Sequence, residues 1–202
     1  MDKAIVALAS DEVAQAFLAW LDRLQELGCA IVFKTIQALH DSLHLIEQQW
    51  LGSAEAYALH QHLLDSHQAR LLDRRIKNRL SLAKDIHAST QIRLYQQRQK
   101  LQSRLSDELG DHLLLMPTVA HVAPLIDELQ NDDEKFAIVN AQTLKLTMIG
   151  SFLDVPTMNI PIAFNQAHLA IGASMSAKQG LETKILQYAV CIEHLGAYAL
   201  NP

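Results

Sequence analysis

Glycine is scarce and scattered in this chain, with seven in 202 residues and no two adjacent. That excludes a glycine-rich serine loop whose successive backbone amides would hold an oxyanion. Proline is absent from residues 1 to 116, so nothing of that kind interrupts helices in the first half. The two cysteines, Cys29 and Cys191, lie far apart in apolar runs, which excludes a disulfide framework or a CxxC redox site and leads us to expect a reducing, cytoplasmic location. A basic footprint is missing as well, because the net charge is −5 and the isoelectric point is about 6.0. Nucleic acid is therefore not expected as a ligand. No run of about 18 apolar residues occurs, and the short apolar stretch near the amino end is followed at once by Asp11 and Glu12, so no membrane span or leader is expected.

What is present is apolar. Half of the residues are hydrophobic and 19% are charged, and the mean hydropathy is +0.05. A chain of this composition folds rather than remaining disordered, and some of its apolar surface is expected to face a partner. The length is that of one ordinary domain, read here as residues 1 to 202. Residues 1 to 110 read as mainly helical with one strand, and 111 to 202 as strands and helices that complete a sheet.

Val13, Phe17, Trp20, Leu21, Leu24 and Leu27 recur at helical spacing between the capping candidate Ser10 and the stop Gly28, which predicts a helix over 11 to 27. The continuous β-branched run that follows predicts a strand over 29 to 35, buried on both faces. Leu39, Leu43, Ile46 and Trp50 carry helical periodicity through 37 to 64, with a break expected at Gly52 and Ser53. A long amphipathic helix is predicted from Ser81 to Leu109, ended by Gly110. Leu113 to Met116 then read as a second buried strand ending at Pro117. A helix over 132 to 152, two short strands joined by a turn at 165 to 168, and a helix over 182 to 195 complete the chain.

Several constellations of reactive side chains read as ordinary structure. Ser81 and Lys84 fit S-x-x-K, in which a lysine one helical turn on activates a serine, but neither S-D-N nor K-T-G accompanies them. A helix start at Ser81 with Lys84 in solvent explains them better. Ser174, Ser176 and Lys178 form a superficial serine-lysine pair with no general base and read as a polar strand end. His40 and His44 have the i, i+4 spacing of two metal ligands without a specified third, so no metal is assigned. Asp127, Glu128, Asp132, Asp133 and Glu134 lack calcium-loop spacing and read as a loop and a helix start. Arg70, Arg74, Arg75, Lys77 and Arg79, interleaved with leucines, read as a solvated helix face.

The order of weak motifs in the second half carries a resemblance. Met116-Pro117-Thr118 ends a hydrophobic strand, Asn140 sits on a helix, Asp154-Val155-Pro156-Thr157 forms a turn, and Asn159-Ile160-Pro161 ends a short strand. This sequence resembles the C-terminal region of amidase-signature enzymes over roughly residues 10 to 198. The resemblance implies an α/β fold, a mixed sheet with long flanking helices, of which this chain is the closing part. It also implies amide hydrolysis by a lysine and two serines in a Gly/Ser-rich segment, and this sequence has no such segment. No catalytic residue and no cofactor are therefore assigned. The family's turn glycine is replaced by Asp154, and AFNQ stands where a glycine usually follows the last proline-ending strand. The Met1 start falls where a strand of the full-length fold would begin, as in a truncated or split reading frame.

Ligands in open α/β sheets bind beyond the carboxyl ends of strands, so Thr118, His121 and Thr157 are the candidate pocket border, against the alternative that they only close turns. Three functional expectations remain. The chain is a silent amidase fragment that folds alone or as a homo-oligomer, one part of an enzyme completed by a missing N-terminal catalytic half, or a non-catalytic interaction module.

Overall fold

The structure, a computed structural model, describes residues 1–196. The chain opens with a single turn, α1 (Lys3–Val6), capped by Asp2. α2 (Asp11–Glu26) starts where Ser10 accepts from the Val13 amide at 3.4 Å, with Asp11 and Glu12 complementing the helix dipole. Val13, Phe17, Trp20, Leu21 and Leu24 are all buried, as their spacing requires, and Gly28 at φ +89° turns the chain away. α3 (Gln37–Gln48) and α4 (Gly52–Leu64) follow, then a 3-10 turn at His67–Leu71, α5 (Arg74–Ser81) and a second 3-10 turn at Leu82–Asp85. α6 (Ala88–Leu109) buries Leu94, Leu101, Leu105 and Leu109 along one stripe. β1 (Leu114–Pro117), the short α7 (Asp127–Gln130), α8 (Asp133–Leu153), β2 (Thr157–Phe164), β3 (Ala170–Ser176) and α9 (Glu182–His194) complete the order.

The fold is α/β. Its sheet has three antiparallel strands in the order β1-β3-β2, so β3 is central. Leu114 and Met116 of β1 lie opposite Ser176 and Ser174, and Thr157 and Asn159 of β2 lie opposite the same two serines. Alternate strand residues point to opposite faces, and each face is covered by helices. On one side Leu114 and Met116 join Leu146, Ile149 and Phe152 of α8 with residues of α3 and α6. On the other, Ala173 and Met175 meet Phe17, Trp20 and Leu21 of α2 and Ile185 and Ile192 of α9. Among the described residues α8 is the one helix long and apolar enough to cross a bilayer by length and composition, and its last two turns are embedded in the first of these cores.

Two sequence expectations are corrected. Residues 29 to 35 form no strand, and Val32 and Phe33 are 46% and 41% exposed rather than covered on both faces. A strand needs a ladder, and this extended segment has only isolated anchors: the Met1 amine donates to the Val32 carbonyl at 2.7 Å and the Lys34 amide to the Met1 carbonyl at 3.1 Å. The helix expected from Ser81 begins instead at Ala88; Ser81 closes α5, and the 3-10 turn at Leu82–Asp85 separates the two. Ser81 therefore caps nothing, and its side chain makes no cap hydrogen bond. The break between α3 and α4 falls beside Gly52, close to its expected place.

The amino end is held by a buried carboxylate. Asp2 is 2% exposed and accepts from the Ile36 amide at 2.7 Å and the Ala4 amide at 2.9 Å, and it faces His40 Nε2 at 2.9 Å. Burial pushes its carboxyl up, but the Ile36 amide, His40 and the Ala4 amide outweigh that and hold it below the ordinary range.

A depressed carboxyl contributes stability at neutral pH that is lost as pH falls through the ordinary Asp value of about 3.9 and then through the lower folded one. The urea midpoint should therefore drop between mildly acidic and strongly acidic buffer, and Asp2→Asn should start lower and drop less. Phe152 is fully buried, and Phe152→Ala should lose about 3–5 kcal/mol in urea titration with an unchanged m value.

Candidate functional site

β3 carries hydroxyls at alternate positions, Ser174 and Ser176, on the face turned toward α8, and β2 places Thr157 and Asn159 beside them. The Ser174 hydroxyl donates to Asn159 Oδ1 at 2.7 Å and lies 3.3 Å from Thr118 Oγ1, which is 3.4 Å from the same Asn159 oxygen. One register step along, Thr157 and Ser176 share a hydrogen bond of 2.7 Å. Ser174 and Ser176 are buried, whereas Thr157 and Asn159 are exposed, so the stripe runs from the interior to an open edge. It floors a cavity of about 350 Å³ whose walls include Met116, Thr147, Gly150 and Asp154. That volume lies in the range of about 300–1,000 Å³ typical of small-molecule sites.

The mouth is shaped by the end of α8. Asp154 takes the left-handed conformation at φ +55° that its position requires, where the resembled family carries glycine. Its carboxylate is held by Gln179 at 2.7 Å and Arg98 at 3.3 Å. Arg98 Nε also donates to the Phe152 carbonyl at 2.6 Å and Gln102 to the Leu153 carbonyl at 3.1 Å, which satisfies the open carbonyls at the helix end. Among the described residues Asp154 is the one charged side chain lining the cavity. A groove of about 520 Å³ adjoins it across Val155 and is lined by Gln99, Gln102, Ser106, Asp107, Lys178 and Gln179.

Thr118 and Thr157, named from the sequence, thus border one cavity, and His121 does not line it. The His121 ring is turned to α8 instead, with Nε2 at 2.9 Å from the Thr143 hydroxyl and Nδ1 at 2.8 Å from the Val122 carbonyl. A carbonyl only accepts, so Nδ1 carries a proton, while the Thr143 hydroxyl donates to the Val139 carbonyl at 2.8 Å. Asn159, Ser174 and Ser176 join the pocket although no motif marks them as pocket residues. Their sequence signal is the period-two repeat of short polar side chains within two apolar strands.

The other candidate pairs do not converge. Lys178 lines the adjoining groove and not the cavity beneath Ser174 and Ser176. Ser81, at the end of α5, and Lys84, in the 3-10 turn that follows, are both exposed. His40 is engaged with Asp2 and His44 with Gln48 at 2.8 Å, so the two imidazoles have separate partners. Asp132 caps α8 through the Lys135 amide at 2.8 Å, with Asp133 and Glu134 in the first turn, as expected of an acidic helix start.

Gly172 sets how closely β3 approaches Thr118. A Cβ added there would lie 2.9 Å from Thr118 Oγ1 and 3.6 Å from the Ile160 carbonyl. Gly172→Ala should therefore cost about 1–3 kcal/mol through overpacking. Thr118→Ala in the same chain should recover most of it, which a double-mutant cycle in urea reads as coupling between the two positions.

No curated protein sequence matches the chain. Solved structures do. The Kluyveromyces lactis allophanate hydrolase S177A variant superposes with a TM-score of 0.72 at 19% identity, over 84% of this chain and 27% of that one. The substrate complex of 6-aminohexanoate cyclic dimer hydrolase gives 0.73 at 19% identity, over 95% and 42%. A crystal structure of an amidase gives 0.72 at 20% identity, over 89% and 41%. The chain thus spans between about a quarter and two fifths of the length of these structures, and at such identities they speak for the fold. The amidase family model matches residues 1–186, and with that match over nearly the whole sequence the chain belongs to the amidase family.

Proposed function

We propose that this chain forms the C-terminal wall of an amide-hydrolase cleft and is catalytically silent by itself. The observation that carries this reading is the neutral stripe of Thr118, Asn159, Thr157, Ser174 and Ser176 over the cavity, with no lysine among the described residues that line it. Hydroxyls and a carboxamide offer donors and acceptors to a neutral amide, and they hold a substrate without activating a nucleophile. The Ser174 and Ser176 hydroxyls are each 2.7 Å from a neutral partner, Asn159 and Thr157, and neither meets a base among the described residues. The scarcity of glycine supports the same reading, since the serine-bearing loop of the family needs a run of them. Both thiols are free, which fits a reducing cytoplasm.

A second reading rests on a separate observation. The chain covers 27% of one solved relative and 42% of another, which leaves length for a catalytic portion that another polypeptide would supply. In that reading the chain is one component of a split amidase.

An assay on a panel of simple amides tests both. The isolated chain should show no turnover above background. Turnover that disappears on Ser81→Ala or Ser176→Ala would overturn the silent reading. Turnover that appears only when a separately encoded Gly/Ser-rich amidase chain is added would favour the split enzyme, and Thr157→Val should then raise KM, since Thr157 borders the cavity.

A further inference from the structure

The polar side chains of the stripe do not all offer the cavity the same thing. Each hydroxyl proton has an acceptor inside the protein. Ser174 donates to Asn159 Oδ1 at 2.7 Å, and Thr118 directs its proton to the same oxygen at 3.4 Å. Thr157 and Ser176 share a hydrogen bond of 2.7 Å, and the Val155 carbonyl is a further acceptor for Thr157 at 3.3 Å. The amino half of the Asn159 carboxamide is left over, since Nδ2 makes no hydrogen bond among the described residues. Asn159 is exposed and lines the cavity on the open side of the stripe.

Distance fixes which way that carboxamide is turned. At 2.7 Å the contact with Ser174 has the usual length of O–H···O and is short for a neutral N–H···O, so the oxygen faces the hydroxyls and the two N–H donors face away from them. Turning the group over would also take from buried Ser174 its near acceptor and leave it Thr118 at 3.3 Å. A pair of N–H donors selects a ligand with an acceptor oxygen, and the walls select its charge. No lysine or arginine lines the cavity among the described residues, so a carboxylate would lose its water without meeting a counter-charge. An ammonium group has no acceptor for Nδ2, and Arg98, 3.3 Å from the Asp154 carboxylate at the mouth, would repel it. A neutral carbonyl satisfies both conditions, and Met116, Leu146 and Val155 give it apolar walls for a short hydrocarbon chain.

We propose that Asn159 is the residue by which this cavity recognises its ligand. Nδ2 donates to the carbonyl oxygen of a small neutral amide, and Ser174 is a positioning residue that fixes which half of the carboxamide faces outward. The assignment rests on the reading of the cavity as part of an amide-binding cleft, and it concerns recognition rather than turnover. Titration of the isotope-labelled full chain with butyramide, methyl propyl ketone, butyrate and butylammonium, followed by NMR, reads the Asn159 side-chain amide directly. Butyramide and the ketone should move the Nδ2 proton resonances with millimolar dissociation constants, and the two charged analogues should leave them in place. Asn159→Asp keeps the shape and the acceptor for Ser174 but removes both donors, and it should raise the butyramide dissociation constant at least roughly tenfold. Asn159→Leu should do the same without adding a charge. Ser174→Ala should raise it about threefold, because the donors remain but are free to turn. Butyramide bound by both Asn159 variants as tightly as by the unsubstituted chain overturns the assignment and leaves the amide-binding cleft standing. A loss on Ser151→Ala in their place, at the rim hydroxyl on α8, does the same. No shift with butyramide, or equal shifts with butyrate, overturns the assignment together with the amide reading of the cavity.

Discussion

The backbone ladders on both edges of β3 hold Ser174 opposite Met116 and Asn159, and Ser176 opposite Leu114 and Thr157. Because side chains alternate along a strand, that single register assigns every neighbouring residue to a face. Ala173 and Met175 go to the core with α2 and α9, and the serines go to the side of α8. A slip of one residue would drive two hydroxyls into the apolar core and turn Met175 toward the cavity. The polar stripe and the two cores are therefore one constraint seen from two sides.

The position of α8 is the second element on which the cavity depends. Its last two turns are buried through Leu146, Ile149, Phe152 and Leu153, and its final carbonyls are met by Arg98 and Gln102 of α6. Asp154 then reverses the chain into β2 in a conformation that most side chains avoid. An aspartate here serves the turn less freely than glycine would, but its carboxylate ties α6 and the segment after β3 to the cavity rim.

The helices are legible wherever a cap, a periodic apolar face and a stop occur together. α2 has Ser10, five buried residues and Gly28, and α8 has Asp132 and an αL end at Asp154. Two segments lacking one of those signals depart from expectation. Residues 29 to 35 have strand composition but no neighbouring strand, and residues 81 to 87 have helical composition but close a 3-10 turn before α6. Of the site, Thr118 and Thr157 are visible as polar residues beside prolines at strand ends. His121 is visible as the polar side chain of the loop between Pro117 and Pro124, yet its ring faces Thr143, because orientation depends on which helix packs over the loop.

From the amino-acid order alone came the α/β class, most helix boundaries, the family resemblance, and the want of a glycine-rich serine segment, all of which are properties of local composition and spacing. Tertiary structure alone decided that Asn159, Ser174, Ser176, Thr157 and Thr118 share one face, that Lys178 lies in a different groove, and that residues 29 to 35 have no ladder. The reason is the same in each case. Hydrogen bonds across 15, 19 and 56 residues of sequence depend on strand register and on how helices cover the sheet, and neither is written in any local window.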